Sequence, residues 1–176
     1  MKPGEFQGVG CVLFSDLASI ALLAERLPPA RLIAALRDIL EIQQQAILRH
    51  GGIIEQFVGN SVIAYWRPAE PRQLAATAFA AAQEIVASRV ETAELNGQLK
   101  ASFSVNECAG AFFGHNTVFR FQVIGRARTR AERVMNESLR AQPSVAVDAE
   151  TFTLFEKETG DRFEQDPAGN FVFNAP

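Results

Sequence analysis

Two short apolar runs, Ile53 to Val58 and Ser61 to Trp66, are separated only by Gly59-Asn60 and directly follow a helical stretch closed by Gly51-Gly52. A Gly-Asn pair between strand-like segments marks a β-hairpin, so the centre of the chain pairs antiparallel and needs a sheet around it. The stretch before it, Pro29 to His50, carries Leu32, Ile33, Leu36, Ile39, Leu40 and Ile47 on one stripe, which is the signature of an amphipathic helix. Pro28 and Pro29 mark its start, and a shorter helical segment, Ser19 to Leu27, precedes it. The chain opens with a β-branched apolar run, Val9 to Leu17, read as a buried strand.

Beyond the hairpin, Arg72 to Val90 returns to helical spacing. Leu99 to Val105, Gly110 to Phe113 and Thr117 to Ile124 read as strands, and Arg126 to Arg140 as a helix. The tail adds a strand at Ser144 to Val147, a helix near Ala149 to Glu158 and a weak final hairpin. Strand, two helices, hairpin, helix, hairpin, helix, strand is an α+β order that suits a ferredoxin-like antiparallel sheet with its helices on one face. The uncovered sheet face then asks for a partner, and a homodimer is expected.

With 176 residues the chain is read as a single domain over 1–176. A net charge of -3 gives no global pull toward nucleic acid or an acidic membrane. Only Lys2, Lys100 and Lys157 are lysines, so nearly all the positive charge is arginine. Cys11 and Cys108 lie in apolar runs with no CxxC or histidine neighbour, which points to buried thiols in a reducing compartment. MKPGEFQG has no apolar core of a secretory signal, and the alanine-rich run from Leu74 to Ala87 is a packed helix, not a membrane span. A cytoplasmic location is expected, which still allows attached regulatory domains or a membrane anchor elsewhere in a larger protein.

The run Val12-Leu13-Phe14-Ser15-Asp16-Leu17 is followed by Ala24-Glu25-Arg26-Leu27, Arg49-His50-Gly51-Gly52, Phe57-Val58-Gly59-Asn60-Ser61-Val62-Ile63-Ala64-Tyr65-Trp66 and Val123-Ile124-Gly125. In order and spacing these resemble the class III adenylate and guanylate cyclase family, whose phrases are F-x-D-I, R-H-G-G, K-F-I-G-D-x-V-M-A-F-W and V-I-G-D-x-V-N-x-A-A-R. The resemblance spans about residues 9–135 and is weak over the last forty. It implies a head-to-tail dimer with sites in the interface groove. One subunit would hold two divalent metals, Mg or Mn, on two aspartates. The other would supply base-selecting residues, an asparagine, an arginine and a phosphate lysine. The implied reaction is attack of the ribose 3′-hydroxyl on the α-phosphate of a nucleoside triphosphate.

Carried over position by position, that machinery is mostly missing. Asp16 matches the first metal aspartate, while the second falls on Asn60, a neutral amide. The base-selecting positions fall on Gln56 and Gln122, which still hydrogen-bond a base edge. The asparagine falls on Thr129, and the arginine is retained as Arg133. No L-K-G-K phrase occurs, and the phosphate turn x-G-F-T reads Ala18-Ser19-Ile20-Ala21. One residue of each half-site survives. The resemblance therefore implies a degenerate cyclase homology domain, a weak or inactive nucleotide-binding and dimerisation module. An active, noncanonical cyclase and a purely structural dimerisation domain are the alternatives. Without that activity no cofactor is expected.

Simpler roles stand beside these. Asp16 is equally a helix cap and a metal ligand, while Asn60 reads as a turn residue before it reads as a ligand. Arg126, Arg130 and Arg133 share a helix face behind Gly125, an arrangement that suits an anion or a set of salt bridges. Arg128 is expected to pair with Glu132 at the surface. No aromatics interleave with these arginines, which argues against single-stranded nucleic acid. His50 reads as a helix C-terminal cap and His115 as a turn residue. Phe112, Phe113, Phe119 and Phe121 read as core and interface packing.

Overall fold

The computed structural model describes residues 2–17, 20–88, 90–92, 95–97, 99–115, 118–138 and 144–174. Strand β1 (Phe6–Leu17) leads to helices α1 (Ile20–Arg26) and α2 (Pro29–Arg49), then to the hairpin β2 (Ile53–Val58) and β3 (Ser61–Trp66). Helix α3 (Pro71–Ala87), a small hairpin β4 (Val90–Thr92) and β5 (Leu95–Gly97), and the long hairpin β6 (Leu99–His115) and β7 (Val118–Gly125) follow. Helix α4 (Arg126–Glu137), β8 (Ser144–Val147), two single-turn helices α5 (Ala149–Phe152) and α6 (Glu156–Thr159), and the pair β9 (Glu164–Gln165) and β10 (Phe171–Asn174) close the chain.

Eight strands form one sheet in the order β2-β3-β1-β6-β8-β10-β9, with β7 paired to β6. Every pairing in it is antiparallel except β6 with β8, which run parallel. The ferredoxin-like α+β arrangement is the one the element order implies. Alternation along β1 sets what each face meets. Cys11, Leu13 and Leu17 join Ile39 and Ile47 of α2, Ala78 and Ile85 of α3, and Phe103 of β6 in the main core. Val12 and Phe14 point the other way, into a second cluster with Ile63, Tyr65, Val123 and Ala127 of α4. Helices α2 and α3 thus cover one face, while α4 lies against the other. Ser102 on β6 fixes it there by donating to the Ala131 carbonyl at 2.8 Å.

The start and stop signals read from the sequence have direct physical counterparts. Pro29 occupies the first turn of α2, where no amide donor is needed. At its other end Gly51 takes φ +71°, and the amides of Gly51 and Gly52 return to the carbonyls of Leu48 (3.0 Å) and Ile47 (2.9 Å). A Cβ on Gly52 would stand 2.6 Å from Ile47 and 2.7 Å from the Trp66 ring. Trp66 in turn donates its indole N–H to the His50 carbonyl at 2.8 Å, tying β3 to the end of α2.

Three expectations are corrected. Leu99 to Val105 and Gly110 to Phe113 belong to one seventeen-residue strand, β6, because its β1 pairing runs without a break from Leu99 to Gly110. Helix α3 stops at Ala87, where Ser88 turns extended. The tail helix is two short turns, which a cluster of the Phe79, Phe155, Phe163 and Phe173 rings, stacked, tilted and edge-on, holds against the core. Both cysteines are free and buried. Among the described residues no helix is long and apolar enough to cross a membrane.

Candidate functional site

Asp16 ends β1 on the α4 side of the sheet, one strand away from the hairpin turn that carries Asn60. Gly59 takes φ +61° in that turn, as the sequence anticipates. The turn is held by a buried relay. Gln43 on α2 accepts from the Ser15 hydroxyl at 2.6 Å and donates to the Asn60 carbonyl at 3.2 Å. The Asn60 amide nitrogen donates to Asp16 Oδ1, and to the Leu17 carbonyl at 3.0 Å. Ser61 Oγ also donates to Asp16 Oδ1, at 3.0 Å. The structure therefore brings the two expected metal positions together. It gives Asp16 hairpin partners, and the residues that a helix cap at Asp16 would bond, 18 and 19, lie outside the described residues.

The contact itself speaks against a two-metal centre. A hard divalent cation is held by several oxygen lone pairs. Here an N–H donor faces the one carboxylate, and among the described residues no three His, Cys, Asp or Glu side chains converge. Lys100 lies directly opposite Asp16 in the β1–β6 register and is only 7% exposed. Directly opposed residues project from the same sheet face. Burial lowers the Lys100 pKa, and the Asp16 charge works in the other direction by favouring the ammonium. The residues present do not fit the two-metal group.

Gln56 and Gln122 flank a contact between β2 and β7. Glu55, at a bulge between Ile54 and Gln56, accepts from the Val123 amide at 3.3 Å. Gln56 follows the first of these bonded residues and Gln122 precedes the second, so the two base-selecting positions share one neighbourhood. The same glutamate corrects the reading of Arg128. Its guanidinium does not pair with Glu132. It donates to both Glu55 oxygens (2.8 and 2.6 Å) and to the Val123 carbonyl (3.2 Å), and lies 5.7 Å over the Phe14 ring. Burial raises the Glu55 pKa, and Arg128 and the Val123 amide offset only part of that rise.

Helix α4 buries Ala127, Ala131 and Val134 and turns Thr129 and Arg133 to solvent. Thr129 bonds its own helix, donating to the Gly125 carbonyl at 3.2 Å. Arg133 Nε stands 3.7 Å from Glu137. Within one chain these two residues face away from the sheet that carries Asp16. Of the two readings of the arginine face, an anion or a set of salt bridges, the described contacts are salt bridges. Arg130 pairs with Asp148 (3.4 Å) and Glu150, and Arg126 is exposed beside a groove of about 450 Å³ lined by Gln7, Gly8 and Glu107. His50 pairs with Glu84 at 2.9 Å. Ala18 and Ser19 of the phosphate turn, like the side chain of His115, lie outside the described residues.

The comparisons with known proteins fall on one architecture. No protein-family model and no curated protein sequence matches the chain. Among solved structures it is similar to the adenylyl cyclase CyaB from P. aeruginosa, with TM-score 0.77 and 19% identity over 98% of this chain and 95% of that one. The catalytic core of a rhodopsin-guanylyl cyclase with converted specificity, in complex with ATPalphaS, aligns over 100% of both chains with TM-score 0.78 and 14% identity. The guanylyl cyclase Cya2 gives TM-score 0.74 and 20% identity over 96% and 91%.

The chain has the class III nucleotide cyclase fold.

Identity at this level establishes the fold alone. On the cyclase fold, Asp16 and Asn60 occupy one cluster, Gln56 and Gln122 a second, and Thr129 and Arg133 the outer side of α4. Sequence reasoning missed Lys100 as a member of the first cluster, because only strand register brings it there. It also missed the buried Glu55–Arg128 pair, whose partners are 73 residues apart.

Proposed function

We propose that this chain is a degenerate cyclase homology domain, a dimerising module of cyclic-nucleotide-type signalling in the cytoplasm with little or no cyclase activity. The observation that carries the reading is the Asn60 amide donating to Asp16, where the resemblance calls for a second metal carboxylate. An N–H donor there offers nothing to a cation that would stabilise charge on a reacting phosphate. Thr129 in the asparagine position and the absent phosphate lysine point the same way.

A homodimer is part of the proposal. Phe112, Phe113 and Phe119 on the β6–β7 hairpin are 46, 42 and 58% exposed, and Ile124 farther along β7 is 47% exposed. Large apolar side chains clustered on one arm are the kind of surface a second copy covers. Outward-facing Thr129 and Arg133 suit a head-to-tail arrangement, in which they would approach the Asp16 cluster of the partner. The RhoGC guanylyl cyclase domain, also similar in fold (TM-scores 0.75 and 0.70), is described in one structure as monomeric and in another as a non-canonical dimer.

Gln56 and Gln122 beside one β2–β7 contact favour retention of a base-binding groove, so a nucleoside triphosphate is the proposed ligand. Titration calorimetry with ATP, GTP, CTP and UTP, in Mn²⁺ and in EDTA, tests it. Saturable binding of one triphosphate without turnover supports the module, while turnover in Mn²⁺ supports an active, noncanonical cyclase. No binding by any triphosphate leaves the structural dimer as the better account.

A further inference from the structure

The cluster around Asp16 carries a cation of its own. Lys100 and Asp16 are opposed in register, so both side chains leave the sheet on the α4 side. A lysine is ordinarily solvated, yet this one is 7% exposed. Among the described residues its ammonium takes part in no hydrogen bond or ion pair, and Asp16 is the charge that acts on it. Asp16 Oδ1 already accepts from two neutral donors, Asn60 Nδ2 and Ser61 Oγ. A divalent cation on that oxygen would have to displace those donors, and one on either oxygen would meet the Lys100 charge on the same sheet face.

We propose that Lys100 takes the place of the divalent cation beside Asp16 and makes this cluster metal-independent. Asn60 and Lys100 then act together. The amide removes one metal carboxylate, and the ammonium puts a positive charge on the sheet face that the remaining carboxylate shares. A lysine ammonium is a compact point charge with three donors, so it also suits a phosphate oxygen of a ligand that arrives without metal. This deepens the reading above and rests on it only for the choice of cluster.

The probe is Mn²⁺ alone, titrated by calorimetry into the full chain and into Asn60→Asp, Lys100→Met and the double variant. The starting protein and both single variants are expected to show no saturable Mn²⁺ binding. The double variant has two carboxylates and no ammonium, and is expected to bind saturably, at least about tenfold more tightly than the detection limit that bounds Asn60→Asp. Equal affinity of Asn60→Asp and the double variant would overturn the proposal, because Lys100 would then exclude nothing. Should the double variant fail to fold, NMR of the starting protein decides. Amide signals of Asp16 and Ser61 that broaden at stoichiometric Mn²⁺ overturn the proposal, and signals that stay sharp support it. Mn²⁺ binding by the starting protein with no cyclic product would sink this inference alone, whereas cyclic product from the starting protein would sink the degenerate-enzyme reading.

Discussion

Arg128→Ala removes the only cation paired with Glu55 among the described residues, in a place where the Glu55 side chain is 1% exposed and that of Arg128 is 22% exposed. Truncating one partner of a fully buried ion pair costs about 3–5 kcal/mol, because the other charge is left unsolvated. Water reaching the Arg128 side lowers this to roughly 2–3 kcal/mol. For a chain of this length that is a melting-temperature loss of about 4–12 °C. The loss is expected to depend on pH with a fixed sign. Burial already raises the Glu55 pKa, and removing Arg128 raises it further. The folded variant then binds a proton more tightly than the unfolded chain, so its stability falls as pH rises through the Glu55 range. Below the ordinary glutamate value of about 4.3 the deficit largely disappears. Calorimetric melting of both proteins across that range is the assay. A second arm adds Glu55→Gln to Arg128→Ala, which should recover stability at neutral pH by removing the orphaned charge. A single variant within about 0.5 kcal/mol of the starting protein, or a deficit equal at acid and neutral pH, would refute the buried-pair reasoning.

Ser138→Ala should destabilise the C-terminal hairpin by about 1–2 kcal/mol at neutral pH, read by denaturant titration. Burial alone would raise the Asp166 pKa, but the Ser138 hydroxyl (2.6 Å) and the Asn170 and Ala168 amides (2.9 Å each) outweigh it and hold it low. That stability is present above the ordinary aspartate value and lost as pH falls through the lower folded value, so the two proteins should converge in acid. Light scattering coupled to gel filtration should give about twice the 19.3 kDa chain mass, and Phe113→Asp with Phe119→Asp should return it to one chain mass. A starting protein that runs as a monomer at high concentration counts against the dimer.

The element order was legible because glycine and proline mark its breaks. Pro28-Pro29, Gly51-Gly52 and Gly59-Asn60 each hold the backbone geometry their residue types demand. Strand β6 was misread as two because Asn106 and Glu107 interrupt its apolar run. Its register with β1 continues through them all the same, with Gly10 opposite Asn106. Local spacing also misled at Arg128, where a neighbour four residues away on the helix loses to a buried carboxylate on another strand. The first site cluster was half readable. Asp16 and Asn60 stand in phrases with fixed spacing, but Lys100 has no phrase, and its role follows from sheet pairing alone. Arginines 126, 130 and 133 share a helical face in sequence, yet the acidic turn Asp148 to Glu150 draws Arg130 away from any shared anion.

The central claim is that a cyclase fold persists here without the cyclase reaction. The most direct measurement is incubation of the purified chain with ATP or GTP in Mn²⁺, followed by mass-spectrometric detection of 3′,5′-cyclic product and pyrophosphate. Product no higher than a protein-free control is predicted for both nucleotides. Sustained cyclic product that Asp16→Ala abolishes would contradict the claim and return the Asp16 cluster to the standing of an active site.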